Sequence, residues 1–384
     1  MRLLHTADWH LGKIVNGVHM TDDQAYMIEQ LFQIIEQYRP DVVMIAGDIY
    51  DRSVPPKEAV ELLDYTFTKL LDQYSIPILV ISGNHDSPDR LHFGSRIFRR
   101  NRLLIEAKLS KDIEVFSYAD QFGPVHFYLI PYFDPAEVRT LYGDDSVQTH
   151  QDAMKKVIES IKERFDQQAR HVCITHAFIA GGMESDSEER LTMIGGSPYI
   201  DHELFDCFDY VALGHLHQAQ KIQREAIQYS GSILKYSFSE AKHKKSVNLV
   251  ELKQDGSLDI ERIQLKPKRD MRILEDYFDQ LLNDDCYPGT DDYLHIRLLD
   301  DGQLLDPISQ LRKKFPNILR LERKVKQSDL ALDQLKTLQE RQKMSHEELF
   351  TAFYRDMKGE DISLQRKKII NDLISELIKQ ERGE

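Results

Sequence analysis

Five short stretches of this chain carry groups that bind cations or move protons. They are Asp8 and His10 in HTADWHLG, Asp48 and Asp51 in GDIYD, Asn84, His85 and Asp86 in GNHD, His176 in CITHAF, and His215 and His217 in GHLH. Carboxylate and amide oxygens mixed with imidazoles, without a thiolate, suit manganese, iron or zinc better than calcium or a zinc–thiolate centre. Asp8, His10, Asp48, Asn84, His176, His215 and His217 are too many ligands for one ion of ordinary coordination. They divide between two ions if one carboxylate bridges. Two divalent cations about 3.5–4 Å apart would clamp a phosphate and turn the water between them into hydroxide near neutral pH.

Each stretch alone has an ordinary explanation. A Gly-Asp pair after a strand is a common turn, and His-x-His can share one face of a strand for packing reasons. What removes chance is where the stretches fall. Met1–Leu4, Asp41–Ala46, Ile76–Ile81, His171–Thr175 and Tyr210–Leu213 all read as short apolar strands, and each runs straight into one of the five stretches. Open α/β sheets bind ligands at that end of their strands. The glycines before Asp48, Asn84 and His215 permit turns tight enough to aim those side chains into a common cleft. His5 lies inside the first strand and is expected in the core.

Between the strands the pattern changes to helix. A helix is expected at about 21–38, another from Pro55-Pro56 to about Leu71, and a further one at 89–98. Val125–Phe133 adds a strand, and Ser246–Leu265 a hairpin turning at Asp255-Gly256. Strands alternating with helices predict a layered α/β sheet with antiparallel additions. Beyond Lys266-Pro267-Lys268 the character shifts. Residues 269–325 read as a small α+β capping domain with a strand at Asp292–Leu299, and 326–384 as a charged helical segment. There Ser345 to Glu348 fits a capping box, and Leu349 to Ile378 carries an apolar stripe at helical spacing.

At 384 residues the chain is long enough for two or three domains, and no apolar run reaches the roughly 18 residues of a membrane span. No basic-then-apolar leader opens it, so secretion is not expected. Three scattered cysteines predict neither a disulfide framework nor a zinc ribbon. The net charge of −14 does not exclude a nucleic-acid substrate, because DNA responds to the local field. Basic clusters stand at Arg99–Arg102, Lys242–Lys245, Lys266–Arg272 and Arg312–Lys314.

The pattern resembles the calcineurin-like metallophosphoesterases. The loops HTADWHLG, GDIYDRSVPP, SGNHDSPDRL, LIPYFDP, ALGHLHQAQ and YSGSILKYSFSE are similar to those of the SbcD family of bacterial nuclease subunits. The similarity runs from residue 1 to about 272 and keeps the same layout beyond. By that resemblance, the fold is a calcineurin-like sheet sandwich, with a phosphoesterase domain over 1–268. Asp8, His10, Asp48 and His217 hold one ion. Asp48, Asn84, His176 and His215 hold the other, with Asp48 bridging. By the same resemblance His85 contacts the scissile phosphate and helps protonate the leaving oxygen; Asp86, next to it, is placed either to orient His85 or to make a plain loop hydrogen bond. The resemblance further implies two manganese ions, a DNA substrate, a homodimer and a coiled-coil ATPase partner, SbcC, docked on the Leu349–Ile378 stripe, which could otherwise be an ordinary core-packing helix hairpin. The scattered cysteines suggest a reducing cytosol, hence a cytoplasmic, nucleoid-associated location. One departure is Asp51, where archaeal relatives carry a histidine; with Arg52 it gives the GD-x-x-DR of protein phosphatases. Two rival readings therefore stand beside the nuclease: a phosphomonoesterase using the same metals, and a non-catalytic docking subunit.

Overall fold

The computed structural model describes residues 1–188, 199–301 and 304–324, and a few isolated positions beyond 349. Two six-stranded sheets form its centre. The first runs, edge to edge, Leu258–Gln264, Ser246–Leu252, Arg2–Thr6, Val42–Ala46, Ile78–Ile81, Leu103–Glu106. Its last four strands are parallel, and the hairpin at 246–264 is added antiparallel to Arg2–Thr6. The second runs Gln220–Ile222, Arg224–Tyr229, Tyr210–Gly214, Arg170–His176, Gly123–Ile130, Val115–Asp120, with its four central strands parallel.

The sequence explains this layering. Val42–Ala46 and Ile78–Ile81 are buried on both faces, which is why they read as unbroken apolar runs. Alternate residues serve different cores. Leu3, Met44 and Ile81 meet Phe127, Ile174 and Ala212 of the other sheet in a shared interior. Leu4, Val43, Ile45 and Val80 point outward onto Met27, Leu31 and Ile35 of the helix Thr21–Tyr38. On the far side, Tyr128, Cys173 and Val211 pack against Met154, Val157 and Ile161 of the helix His150–Lys162, which opens with a Thr149–Asp152 capping box. Sequence periodicity alone did not separate the strands into two facing sheets.

The expected helix after Pro55-Pro56 is Lys57–Lys69, continued by a wider turn over Leu70–Tyr74. The helix expected over 89–98 needs correction. It is two short helices, Pro88–His92 and Ser95–Phe98, broken where Gly94 takes a left-handed φ of 75°.

Residues 1–298 and 304–322 make one compact unit. Within it the cap has its own three-stranded sheet, Met271–Asp276, Tyr293–Leu298 and Ile318–Arg323, and its own core of Leu274, Phe278, Leu281, Ile296, Leu311 and Phe315. The strand expected at Asp292–Leu299 is Tyr293–Leu298. Its neighbours were missed because MRILED and ILRLER interleave apolar and charged residues on half-exposed strands. A buried carboxylate ties the cap to the first helix. Asp23 accepts two hydrogen bonds from Arg269, at 3.1 and 2.9 Å, and one from the Tyr293 hydroxyl at 2.7 Å. Residues 299–303 and 323–384 form a second unit, and most of the Leu349–Ile378 stripe lies outside the described residues. Among the described residues no helix is long and apolar enough to cross a membrane.

His5 sits between the sheets, as expected, with Nδ1 2.9 Å from the Tyr210 hydroxyl and Nε2 3.1 Å from the Leu213 carbonyl. Burial pushes its pKa down to about 3, against the raising effect of that carbonyl. An unfolded imidazole takes up its proton near pH 6.5. Between pH 6.5 and about 3 the unfolded chain therefore holds a proton that the native chain refuses. This contribution to stability is whole above about pH 6.5 and is lost as the pH falls, by up to about 1.4 kcal/mol per pH unit. Urea midpoints measured from pH 7 to 5 should fall more steeply for the wild type than for His5→Gln. Equal slopes would remove His5 from the account.

Candidate metal centre

Four of the residues singled out above have left-handed backbones: Asp8 (φ 52°), His10 (46°), Asp48 (49°) and His215 (108°). Such conformations cost free energy in non-glycine residues and persist where the surroundings over-determine them. Here the loop after Arg2–Thr6 is laced to the loop after Val42–Ala46. The N–H groups of Asp8, His10 and Leu11 donate to the carbonyls of Gly47, Asp48 and Ile49 at 3.1, 2.9 and 2.9 Å. Gln24 of the first helix clamps the same loop, donating to the His10 carbonyl at 2.7 Å and accepting from the Gly12 N–H at 3.0 Å. The glycines leave room for the cluster. A Cβ on Gly83 would lie 2.2 Å from the Asp48 carboxylate, and one on Gly214 would lie 1.8 Å from the Ala46 carbonyl of the facing sheet.

All seven expected ligands converge at this end of the two sheets, in two groups around one carboxylate. His10 Nε2 stands 3.0 Å from His217 Nε2. Two nitrogens about 2.1 Å from one cation and at right angles would be separated by about this much. In the second group, Asn84 Oδ1 lies 2.9 Å from His176 Nε2 and 3.2 Å from His215 Nδ1. Asp48 Oδ2 sits between the groups, 3.6 Å from His10 Nε2 and 3.5 Å from His176 Nε2. Its other oxygen is occupied by the His85 N–H at 3.0 Å. Asp8 accepts the His215 N–H on Oδ1 at 2.9 Å, while its buried Oδ2 has no hydrogen-bond partner. His176 Nδ1 donates to the Ala46 carbonyl at 2.9 Å, which turns the Nε2 lone pair toward Asn84 and Asp48.

The electrostatics agree with the geometry. Burial pushes the pKa values of His10, His176 and His215 down; neighbouring imidazoles add to this at His10 and His215, while the Asp48 charge and the Ala46 carbonyl oppose it at His176. They are held neutral, the form that ligates metal. Burial and the charge of Asp48 push the Asp8 carboxyl well up. A buried carboxylate oxygen with no donor lies beside two imidazole nitrogens 3.0 Å apart, a place for positive charge. The residues fit divalent cations.

Around this cluster the remaining expectations divide. His85 lies at the rim, with Nδ1 donating to the Asp51 main-chain carbonyl at 2.9 Å. Of the two readings for Asp86, the structure shows the loop hydrogen bonds. The Asp86 carboxylate takes the N–H groups of Ile49, Tyr50 and Gly83 at 3.1, 2.9 and 2.9 Å and so binds two ligand-bearing loops together. Burial, then the nearby Asp48 charge, raise its pKa to about 7. Asp51 pairs with Lys13 at 2.6 Å.

Sequence reasoning missed a supporting shell on the other flank. The His217 N–H donates to Glu188 at 2.7 Å, and His217 Nδ1 lies 2.8 Å from the Ser187 hydroxyl, which donates to the buried Glu240 at 2.6 Å. The motif YSFSE ends on that glutamate, but nothing in its spacing marks it as reaching His217. Beside this shell opens a cleft of about 1000 Å³, lined by Lys13, Ser187, Tyr236 and Lys242 and, from the cap, by Arg272, Arg297 and Arg320.

Solved structures similar to this chain include three proteins of varied origin. A dimetal phosphatase from Danio rerio is 13% identical, with 69% of this chain and 99% of that one covered and a TM-score of 0.42. For TT1561 of Thermus thermophilus the figures are 11%, 68%, 98% and 0.39, and for Yfce, a phosphoesterase from E. coli, 12%, 69%, 100% and 0.27. The family model of the calcineurin-like phosphoesterases matches residues 1–219. A second model, SbcD_C, described as the type 5 capsule protein repressor C-terminal domain, matches residues 267–358. Matched over more than half its length, the chain belongs to the calcineurin-like phosphoesterases, metal-dependent hydrolases, and carries an SbcD-type C-terminal domain behind that fold.

Proposed function

We propose that the chain is an SbcD-like nuclease that hydrolyses DNA phosphodiester bonds at duplex ends, single strands and hairpins. Two divalent cations, manganese by the family resemblance, would be held by Asp8, His10, Asp48 and His217 on one side and by Asp48, Asn84, His176 and His215 on the other. Bound there, they would polarise the phosphate and acidify a water. The chain's own residues do the rest. Asp48 keeps one oxygen on the His85 N–H and leaves the other between the two groups. His85, with Nδ1–H engaged by the Asp51 carbonyl, presents Nε2 toward the reaction, and as the imidazolium it would hand the Nε2 proton to the leaving oxygen and return to the neutral ring.

One observation carries the choice of DNA over a small phosphomonoester: the basic cleft beside the cluster. In a chain of net charge −14 it gathers Lys13, Lys242, Arg272, Arg297 and Arg320, with Asp186 also in its lining. Lys13 pairs with Asp51, Arg272 with Asp292, and Arg297 and Arg320 with Glu322, pairs for which a phosphate backbone would compete. A wide basic trough beside a phosphate-cleaving site suits a polymer whose backbone carries a charge at every step. We read residues 1–268 as the phosphoesterase domain, 269–325 as the cap that completes this trough, and 326–384 as the helical segment.

Linear duplex and hairpin DNA should be degraded in manganese, while a chromogenic phosphomonoester turns over weakly. Strong monoester turnover without DNA loss would make the chain a phosphatase. His85→Ala should keep metal and DNA binding and lose roughly 10²-fold in cleavage; undiminished cleavage would remove its role.

Arg297→Glu with Arg320→Glu should weaken DNA binding for all sequences and flatten its dependence on salt, by about one unit of slope for each phosphate no longer neutralised. An unchanged slope would place the DNA elsewhere.

The match of residues 267–358 to an SbcD-type domain supports an SbcC-like coiled-coil ATPase as partner, docked on the Leu349–Ile378 stripe. Exposed Val60, Tyr65, Phe93 and Ile97 support a homodimer through the helices at 57–69 and 88–98. Co-purification with that ATPase should fail for Phe353→Glu with Leu373→Glu, and light scattering should give a dimer for the wild type. Capture that survives both charges, or a monomer mass, would remove the corresponding interface.

A further inference from the structure

The network behind His217 has a hydrogen count that leaves one arrangement open. Lys245 Nζ has three hydrogens and three acceptors: the His217 carbonyl at 2.8 Å, the Ser232 hydroxyl at 2.7 Å, and Glu240 Oε2 in close contact. It is buried, charged and saturated. Glu240, fully buried beside that ammonium, is an ionised carboxylate and can only accept. Its Oε1 takes the Tyr236 N–H at 3.0 Å and the Ser187 hydroxyl at 2.6 Å. The single hydrogen of Ser187 is thereby committed to Glu240. Toward His217 Nδ1, 2.8 Å away, Ser187 can only offer a lone pair. The proton on His217 must then sit on Nδ1. Nε2, the atom 3.0 Å from His10 Nε2, is left with its lone pair facing the cluster.

We infer that Ser187 and Glu240 are positioning residues that hold His217 as the Nδ1–H tautomer, with Lys245 as the charge that keeps Glu240 an acceptor. The inference rests on reading His217 as a metal ligand. Outer partners of this kind orient the ring and raise its basicity as a ligand. Ser187 and Glu188 grip His217 from two sides, one at the ring and one at the backbone N–H. At the ring the relay reaches His217 through the Ser187 hydroxyl, while Lys245 separately holds the His217 carbonyl, so removing that hydroxyl cuts the contact at the ring and leaves the Lys245 contact to the backbone.

The test is a manganese titration of the purified full chain followed by electron paramagnetic resonance, with no substrate present. Ser187→Ala should weaken binding of one ion by roughly 10–100-fold, Glu240→Gln should do the same, and Ser187→Thr, which keeps the hydroxyl, should bind close to wild type. The Ser187→Ala effect should vanish in a His217→Ala background. In ¹⁵N-histidine spectra of the metal-free chain, His217 should carry its proton on Nδ1 in the wild type and divide between the Nδ1–H and Nε2–H tautomers in Ser187→Ala. If His217→Ala loses the ion while Ser187→Ala binds like wild type with an unchanged tautomer, the inference falls and the ligand reading stands. If His217→Ala binds like wild type, the ligand reading falls first and takes the inference with it. A Ser187→Ala loss that persists in the His217→Ala background would mean a general structural effect and would also overturn it.

Discussion

The structure is organised around a debt of positive charge. Asp8 and Asp48 are buried among imidazoles, of which His10, His176 and His215 are kept neutral by burial, and one carboxylate oxygen has nothing to bond. Burying a carboxylate without a compensating charge is costly, and proteins ordinarily avoid it by pairing or by binding a cation. The sheets, the tight glycine turns and the left-handed backbones all work to bring these groups together. Nothing in packing alone would require such a cluster. A divalent cation removes the conflict, because it supplies charge to the carboxylates and partners to the imidazole lone pairs at once.

Much of the centre was legible from residue types because the architecture places chemistry at a repeated address. Parallel strands buried on both faces read as apolar runs, and the residues just past their ends are the ones that face the cleft. Asp8, His10, Asp48, Asn84, His176, His215 and His217 all follow that rule. Two sheets rather than one could not be seen this way, because a strand's alternation says which faces are buried but not which sheet supplies the neighbour. The cap's outer strands were missed for the opposite reason: their charged alternation resembles a solvated loop.

Support for the ligands was far less visible. Gln24 comes from the middle of an amphipathic helix, and its role depends on where the helix lies rather than on any local pattern. Glu240 and Lys245 are charged residues in a segment that reads as basic surface, yet both are buried and paired. Asp86 shows how a chemically suggestive position can mislead. It follows His85 directly, but its carboxylate serves three main-chain N–H groups. Local sequence reports which groups are available, and tertiary geometry decides which of them are consumed by the backbone.

The distance along the chain between partners in the centre has a consequence for how it forms. Asp8 meets the backbone of His215 across 207 positions, and His10 meets His217 across the same separation. Contacts of such high order form late, since the loop between them must be closed before they give anything back. On a ribosome, the residues that open the centre emerge long before those that complete it. The nascent chain must carry its first carboxylate and imidazoles unmatched until the second sheet has been made. A half-synthesised chain therefore has the pieces of a hydrolase without the reactive arrangement, and the assembled activity arises only once the sandwich has closed.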